Sequence, residues 1–245
     1  MTSKLNTLSH LLGLVLLLTV YTPTSAKPTL KKPLQAKVNT AVRTENNGQV
    51  ILEDVPPIPR SIKDALRRYQ NVRSAQVVGW TKESDGLLIK TRFAEVSQLH
   101  RVDHAKGARD QLTFFDEPVG QVTRQPNGNV IAFTMDSGGS ELAQMFILDL
   151  ESGEHRMISD GTSKNSALLW SRDGQQLAFQ STRRNGRSND IWIMDQRDPS
   201  TARMILKSTD GSWWGPVDFS NNGNKLLALQ YISISDVRAH QIDIK

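Results

Sequence analysis

The chain has 245 residues, a formal net charge of +5, 16 glycines and no cysteine. The missing cysteines exclude a thiol nucleophile, a thiolate metal site and a disulfide framework, so the folded part must be stabilised by packing. Six of the 30 basic residues but only one of the 25 acidic residues precede Gly48, which leaves 24 of each in the remainder. A neutral body is atypical of nucleic-acid-binding proteins, so no nucleic acid partner is predicted.

The first 26 residues have the layout of a secretory signal peptide. Lys4 supplies a positive start, residues 11–20 form an apolar run, and small residues precede Lys27. This run is much shorter than the roughly 20 residues that span a bilayer, so cleavage after Ala26 is favoured over a membrane anchor. We therefore predict a bacterial protein that is periplasmic or secreted, with no membrane segment after cleavage. Residues 27–53 are predicted to form a flexible linker.

Residues 54–74 are predicted to form an extended proline segment followed by one short helix. Ser61 is the expected N-cap, and Asp64 completes a pair that resembles a capping box. Apolar side chains then recur on one helical face, at Ile62, Ala65, Leu66 and Tyr69. We expect this helix to plug or strap the body beside it and to carry no function of its own.

From residue 75 onward the chain repeats itself. Four hairpin turns contain Asn-Gly or Asp-Gly, which supply the positive φ angles of tight hairpins. Their glycines are spaced by 42, 46 and 49 residues, at Gly86, Gly128, Gly174 and Gly223. A bulky residue precedes three of these turns, at Trp80, Trp170 and Phe219. Strands with nearly the same period end in an aspartate, at Asp103, Asp149, Asp195 and Asp243.

Each repeat is interpreted as four strands, which in the third repeat cover residues 167–171, 176–181, 190–195 and 202–207. Four strands per period in the mid-forties are typical of a β-propeller blade, and an open sandwich or a β-solenoid is the alternative. The predicted fold class is all-β, an incomplete propeller of about four blades at residues 75–117, 118–164, 165–213 and 214–245. The last blade lacks its final strand, and its open face is expected to include Leu226, Leu227 and Ile242.

The pattern from Trp170 to Phe179, Trp-Ser-x-Asp-Gly-x-x-Leu-Ala-Phe, resembles the repeats of TolB and of prolyl oligopeptidase family propellers. Longer segments are more specific and are similar to exported bacterial serine peptidases of that family. These segments are residues 68–75, 91–93, 98–102, 111–119, 181–187 and 231–235. The resemblance extends from about Asp54 to Lys245.

Peptidases of this family carry an α/β-hydrolase domain after the propeller, so the resemblance implies a propeller that caps an active site and restricts substrates to short peptides. The chain ends before any such domain and contains no Gly-x-Ser-x-Gly elbow. We therefore expect a non-catalytic propeller portion without a cofactor. Its first expected partner is the missing C-terminal portion, which comprises the rest of the propeller and the hydrolase domain. Peptides are the second expected partner. The alternatives are a stand-alone TolB-like periplasmic propeller that binds protein partners, and an enzyme that acts from propeller loops.

Three arginines, Arg183, Arg184 and Arg187, lie on one predicted inter-strand loop. A solvated loop is one interpretation, and the other is the docking of a partner or of a peptide carboxylate, for which guanidinium groups are suited. Ser137 lies in an Asp-Ser-Gly-Gly sequence that matches the nucleophile segment of chymotrypsin-like proteases. Its position in an inter-strand loop predicts turn chemistry instead of catalysis.

No metal site is predicted. His100 and His104 are spaced as on one helical face, but a strand and the turn after it are expected there. Asp103, Asp149, Asp195 and Asp243 are interpreted as turn residues that bond nearby backbone N–H groups. Trp213 and Trp214 are expected to pack in the core or between blades.

Overall fold

A computed structural model describes residues 42–82 and 85–244 of the protein. The predicted signal peptide, its cleavage point between Ala26 and Lys27, and the first part of the predicted linker lie outside these residues. Within the described ranges no helix is long and apolar enough to cross a membrane. The described residues divide into two compact units, one that ends at Ala65 and one that begins at Leu66.

The described part of the first unit begins with a small hairpin of β1 (Arg43–Glu45) and β2 (Val50–Leu52). The strands are antiparallel and are joined by a turn in which Asn46, Asn47 and Gly48 all have positive φ angles, of 52°, 53° and 86°. The linker prediction is therefore wrong for these residues. The Asn-Asn-Gly sequence favours a tight turn for the same reason as the later Asn-Gly turns do.

Helix α1 (Arg60–Gln70) lies at the boundary of the two units. It begins two residues earlier than an N-cap at Ser61 would predict, because the Pro59 carbonyl accepts hydrogen bonds from the N–H groups of Ile62 and Lys63. Ser61 is consequently inside the first turn and does not act as the N-cap. No residue of the helix is buried, and its apolar face of Ile62, Leu66 and Tyr69 is exposed.

The second unit contains four antiparallel sheets, one for each predicted repeat. Blade 1 comprises β3 (Ala75–Trp80), β4 (Leu87–Thr91), β5 (Gln98–Val102) and β6 (Asp110–Gln111). Blade 2 comprises β7 (Val119–Arg124), β8 (Val130–Met135), β9 (Gln144–Asp149) and β10 (His155–Met157). Blade 3 comprises β11 (Asn165–Trp170), β12 (Gln176–Ser181), β13 (Asp190–Asp195) and β14 (Asp198–Leu206). Blade 4 has three described strands, β15 (Trp213–Phe219), β16 (Lys225–Ser233) and β17 (Asp236–Asp243). The all-β propeller predicted from the sequence is confirmed.

One backbone hydrogen bond recurs across the first turn of every blade and fixes their common register. The bonds run from Thr81 to Gly86, Gln125 to Val130, Ser171 to Gln176 and Ser220 to Lys225, and each joins an N–H to a carbonyl. Positive φ angles occur in these turns at Gly174 and Gly223, whereas in blade 2 Asn127 takes the left-handed conformation. Glycine is further required at Gly174, because a Cβ there would lie 2.9 Å from the Pro126 carbonyl oxygen of blade 2.

The core consists of three apolar clusters, each shared by two successive blades. Blades 1 and 2 share the cluster of Leu88, Leu99, Val119, Ile131, Phe133 and Leu148. The second cluster joins residues of blade 2, including Met145 and Ile147, to Trp170 and Leu177 of blade 3. The third joins Ile191 and Ile193 of blade 3 to Phe219 and Leu226 of blade 4. Each blade is therefore stabilised mainly through its neighbours.

The open face of blade 4 differs from the expectation at two residues. Leu226 is fully buried against blade 3, whereas Leu227 is exposed and Ile242 is half-buried beside the same cluster as Leu226. Successive side chains of a strand point to opposite faces, so Leu226 and Leu227 cannot both lie on the open side. Ile242 pairs with Leu226 across the strands and so lies on the same face. The prediction was therefore wrong for Leu226 and Ile242.

Candidate functional site

The loops between second and third strands lie at the same end of the blades as the connections to the next blade, because strands alternate in direction. The hydrogen bonds of the Arg184 guanidinium show that the loop between β12 and β13 lies beside the connection that follows β14. It binds both carboxylate oxygens of Asp190, at 2.7 and 3.0 Å, and donates to the Ser208 carbonyl at 2.9 Å. Asp190 is fully buried and also accepts the Ser208 N–H. The hydrogen bonds to Asp190 raise the pKa of Arg184, and the pair fixes the loop to blade 3.

Arg183 is likewise used within the fold. Its guanidinium lies 5.1 Å from the Trp192 ring centre, 5.8 Å from that of Phe179, and 3.4 Å from an Asp160 carboxylate oxygen. Burial raises the pKa of Asp160, but hydrogen bonds from Ser163 and neighbouring N–H groups together with Arg183 outweigh it, so the net shift is downward. Arg183 therefore joins blade 3 to the connection between β10 of blade 2 and β11 of blade 3.

Arg187 is the member of the predicted trio with an exposed side chain at the tip of the loop. Asn185 holds the tip, since its Oδ1 atom accepts hydrogen bonds from the N–H groups of Arg187 and Ser188 at 3.1 and 2.9 Å. The three arginines do not converge on one ligand position, because Arg183 and Arg184 are turned inward to Asp160 and Asp190.

The Asp-Ser-Gly-Gly segment is a tight loop between β8 and β9. Asp136 accepts the Ser140 hydroxyl at 2.6 Å and the Glu141 N–H at 2.9 Å. The Ser140 hydroxyl bond is the main reason why the pKa of Asp136 lies below its usual value. The Gly138 N–H donates to Glu117 at 2.7 Å, and both loop glycines have positive φ angles. In the described part of the chain, no hydrogen bond joins Ser137 to a histidine, and the segment has the geometry of a turn.

The two histidines are separated by the end of strand β5. His100 is 1% exposed, its Nδ1 atom lies 3.1 Å from the Gln98 carbonyl, and burial is the main cause of its lowered pKa. His104 is exposed in the following turn, where its Nδ1 atom lies 3.0 Å from the Ala105 carbonyl. Across residues 42–82 and 85–244, no group of three or more metal-binding side chains is assembled.

Two of the strand-end aspartates form the turns that the sequence suggests. Asp149 accepts the N–H groups of Glu151 and Ser152, and these bonds lower the pKa of Asp149. Asp195 accepts the Arg197 N–H and its guanidinium, which lowers the pKa of Asp195. The other two make ion pairs on the surface, with Arg101 for Asp103 at 2.8 Å and with Lys225 for Asp243 at 4.0 Å.

The tandem tryptophans have different environments. Trp214 belongs to the cluster between blades 3 and 4, and its ring lies 4.7 Å from that of His240. Trp213 is partly exposed and covers Gly215, where an added Cβ would lie 2.2 Å from the indole ring. Trp214 therefore serves in packing between blades, as predicted, and Trp213 lies on the open face of blade 4.

Polar bonds that sequence reasoning missed connect the first strands and first turns of neighbouring blades. The Gln121 amide bonds both the N–H and the carbonyl of Leu168, and the Trp170 indole donates to the Thr123 carbonyl at 3.2 Å. Arg172 similarly binds the carbonyl of Phe219, at 3.0 Å. The two residues of each pair are 47 positions apart, which is close to one repeat. A search for polar residues next to each turn of the aligned repeats would therefore have suggested these bonds.

The assembly of four-stranded blades around shared apolar clusters defines a β-propeller fold, and solved structures share it. A structure from a study of two prolyl endopeptidases, concerned with inter-domain dynamics in catalysis and specificity, matches with a TM-score of 0.56 at 13% identity. The match covers 87% of this chain and 38% of that chain. A TolB candidate from Agrobacterium tumefaciens matches with a TM-score of 0.55 at 16% identity, covering 84% of this chain and 76% of that chain. No protein-family model and no curated relative matches the sequence.

Proposed function

We propose that the chain is the non-catalytic propeller portion of an exported serine peptidase of the prolyl oligopeptidase family. In this role it caps the hydrolase active site and gates peptide substrates. The observation that carries the proposal is the match of 87% of the chain to 38% of a prolyl endopeptidase structure. The peptidase-like segments outside the blade pattern, such as residues 111–119 and 181–187, support the same choice.

The loop end of the blades offers the surface that such a cap would use. Arg184 and Asp190 hold the loop between β12 and β13 against blade 3, so the exposed Arg187 is presented from a fixed base. A guanidinium in this position suits a peptide carboxylate or an acidic patch of the partner domain.

The test is to find the serine hydrolase that accompanies the chain in its own cell. The periplasmic fraction is treated with a fluorophosphonate probe, which labels active serine hydrolases, and is then precipitated with antibodies against the chain. A labelled polypeptide that is either precipitated directly or carried with the chain supports the proposal. A precipitate containing the chain without a labelled hydrolase contradicts it.

A second candidate is a stand-alone TolB-like periplasmic propeller that binds protein partners. The match to the TolB candidate favours it, because this chain covers 76% of that structure and so approaches its full extent. The precipitation experiment separates the candidates, since the second predicts protein partners that do not react with fluorophosphonate.

A further inference from the structure

The first strands of blades 1 and 2 are joined less closely than those of blades 2 and 3. Between blades 2 and 3, the Gln121 amide bonds the N–H and the carbonyl of Leu168. Gln121 lies four residues before the donor of the turn bond in blade 2, and Val77 holds the same position in blade 1. A valine side chain has no group that can form such a bond. An open groove with a volume of about 660 Å³ lies between β3 and β7, the first strands of blades 1 and 2.

Arg124 lines this groove from blade 2, at the position that Trp170 holds in blade 3. The Trp170 indole N–H is satisfied by the Thr123 carbonyl. The Arg124 guanidinium donates from Nη2 to the Gly128 carbonyl at 2.9 Å, whereas its buried Nε atom has no hydrogen-bond acceptor. Among the residues that the structure describes, Arg124 forms no ion pair. The groove therefore contains a positive charge and a hydrogen-bond donor that the fold leaves without a partner.

The other residues of the groove also suit an anionic ligand. Lys82 lines it from blade 1 and Asn127 lines it from the turn of blade 2, and none of the described residues that line it is acidic. Val78 and Val122 give it half-buried apolar walls. Small-molecule sites have volumes of about 300–1,000 Å³, so a groove of about 660 Å³ has room for an organic molecule and not only for an inorganic ion.

We propose that this groove binds a small carboxylate with an apolar body. The carboxylate lies on Arg124 and Lys82, because guanidinium and ammonium groups form charge-assisted hydrogen bonds with carboxylates. The apolar body lies against Val78 and Val122. The C-terminus of a short peptide and a free organic acid carry this same chemistry. The inference goes beyond the proposed function, since binding here requires neither a hydrolase domain nor a further blade.

Gly79 offers a way to fill the groove without changing its charge. It pairs with Leu88, which belongs to the cluster shared with blade 2, so a side chain at position 79 points toward blade 2. A Cβ added at Gly79 meets no heavy atom within 4 Å, and the backbone there does not have a positive φ angle. Gly79→Leu is therefore expected to occupy the groove without straining the strand.

Isothermal titration calorimetry of the purified chain tests the proposal with four probes. They are a tripeptide that ends in phenylalanine, the same tripeptide with an amidated C-terminus, 3-phenylpropionate, and inorganic phosphate. We expect the free tripeptide, phenylpropionate or both to bind, and the amide to bind at least about 10-fold more weakly than the free tripeptide if that binds. The tighter of the two carboxylates identifies the source of the ligand. Binding of phosphate alone, equal binding of the amide and the free tripeptide, or no binding of any probe overturns the proposal.

Variants then locate the site. Arg124→Gln should weaken binding of the carboxylate by about 10- to 100-fold, as for the loss of a charged hydrogen-bond donor. Lys82→Gln should weaken it by a smaller factor because Lys82 is exposed, and Gly79→Leu should weaken it by filling the space. Lys207→Gln is the matched control, since it removes an exposed basic residue of blade 3 outside the groove and should bind as the unmodified chain does.

The exposed lysine and the glycine keep the test decisive if Arg124→Gln fails to fold. Unchanged binding in a folded Arg124→Gln variant overturns the proposal. Unchanged binding in both Lys82→Gln and Gly79→Leu also overturns it.

Discussion

Trp80 and Trp170 form a matched pair, because they are the same residue at the same position of two blades. Trp170 is buried between blades 2 and 3 and donates a hydrogen bond to Thr123, whereas Trp80 is mainly exposed. Replacing each by alanine in the full chain therefore measures the contribution of one blade interface against an internal control.

The structure sets the expected size of these effects. Trp170→Ala empties a core position, which lowers the free energy of unfolding by about 3–5 kcal/mol. Trp170→Phe is expected to lower it by about 1–3 kcal/mol, because the hydrogen bond to Thr123 is lost and the smaller phenyl ring leaves part of the buried position unfilled. Trp80→Ala removes few contacts and is expected to change it by less than about 0.5 kcal/mol.

Urea denaturation followed by circular dichroism measures all three variants. Equal losses for Trp80→Ala and Trp170→Ala would refute the reasoning, because Trp80 is exposed and Trp170 is buried between blades.

Four further predictions concern single groups. Arg184→Met should lower the free energy of unfolding by about 2–4 kcal/mol because it leaves the buried Asp190 carboxylate unpaired, whereas Arg187→Met should change it by less than about 0.5 kcal/mol in the same denaturation assay. The chain should not hydrolyse chromogenic peptides or esters, and turnover that disappears in Ser137→Ala would contradict this. Amino-terminal sequencing of the envelope fraction should begin at or near Lys27, and an intact Met1 would exclude cleavage. The pKa values of Asp136, Asp149 and Asp173 are lowered in the fold. The stabilisation that these three carboxylates contribute is therefore present above their unfolded pKa of about 4 and is lost as the pH falls through their folded pKa values. The free energy of unfolding should consequently decline below about pH 5. A variant with asparagine at all three positions should show a less steep decline.

The blade architecture could be predicted because its signals are local and repeat. The turn before Gly174 and the strand after it define a unit that recurs in every blade, and the strands of blade 3 lie close to their expected places. The four sheets begin at Ala75, Val119, Asn165 and Trp213, each within one residue of the predicted repeat. The hairpin of β1 and β2 was harder to predict, because its three-residue strands on either side of Gly48 show no alternation of apolar and polar residues.

The direction of side chains in blade 4 could not be read from the sequence. The run Leu226–Leu227–Ala228–Leu229 is apolar at every position, so alternation gives no indication of which residues face blade 3. The structure fixes this through the turn bond of Ser220, which aligns Leu227 with Ala178. Charged loops present the same difficulty, because nothing in the sequence shows that Asp190 folds back on Arg184 and leaves Arg187 outward.

The bonds between blades explain how loop residues on different repeats can act as one surface. Gln121 clamps the backbone of Leu168, and Arg172 binds that of Phe219, so the first strands of blades 2, 3 and 4 are held at fixed spacing. Each bond reaches a backbone atom, which keeps the spacing independent of the side chain that the next blade carries there. The loops can therefore vary in sequence, as Ser137 and Arg187 do at equivalent places, without disturbing the packing beneath them. The interior bonds therefore keep the loops of neighbouring blades in fixed relative positions.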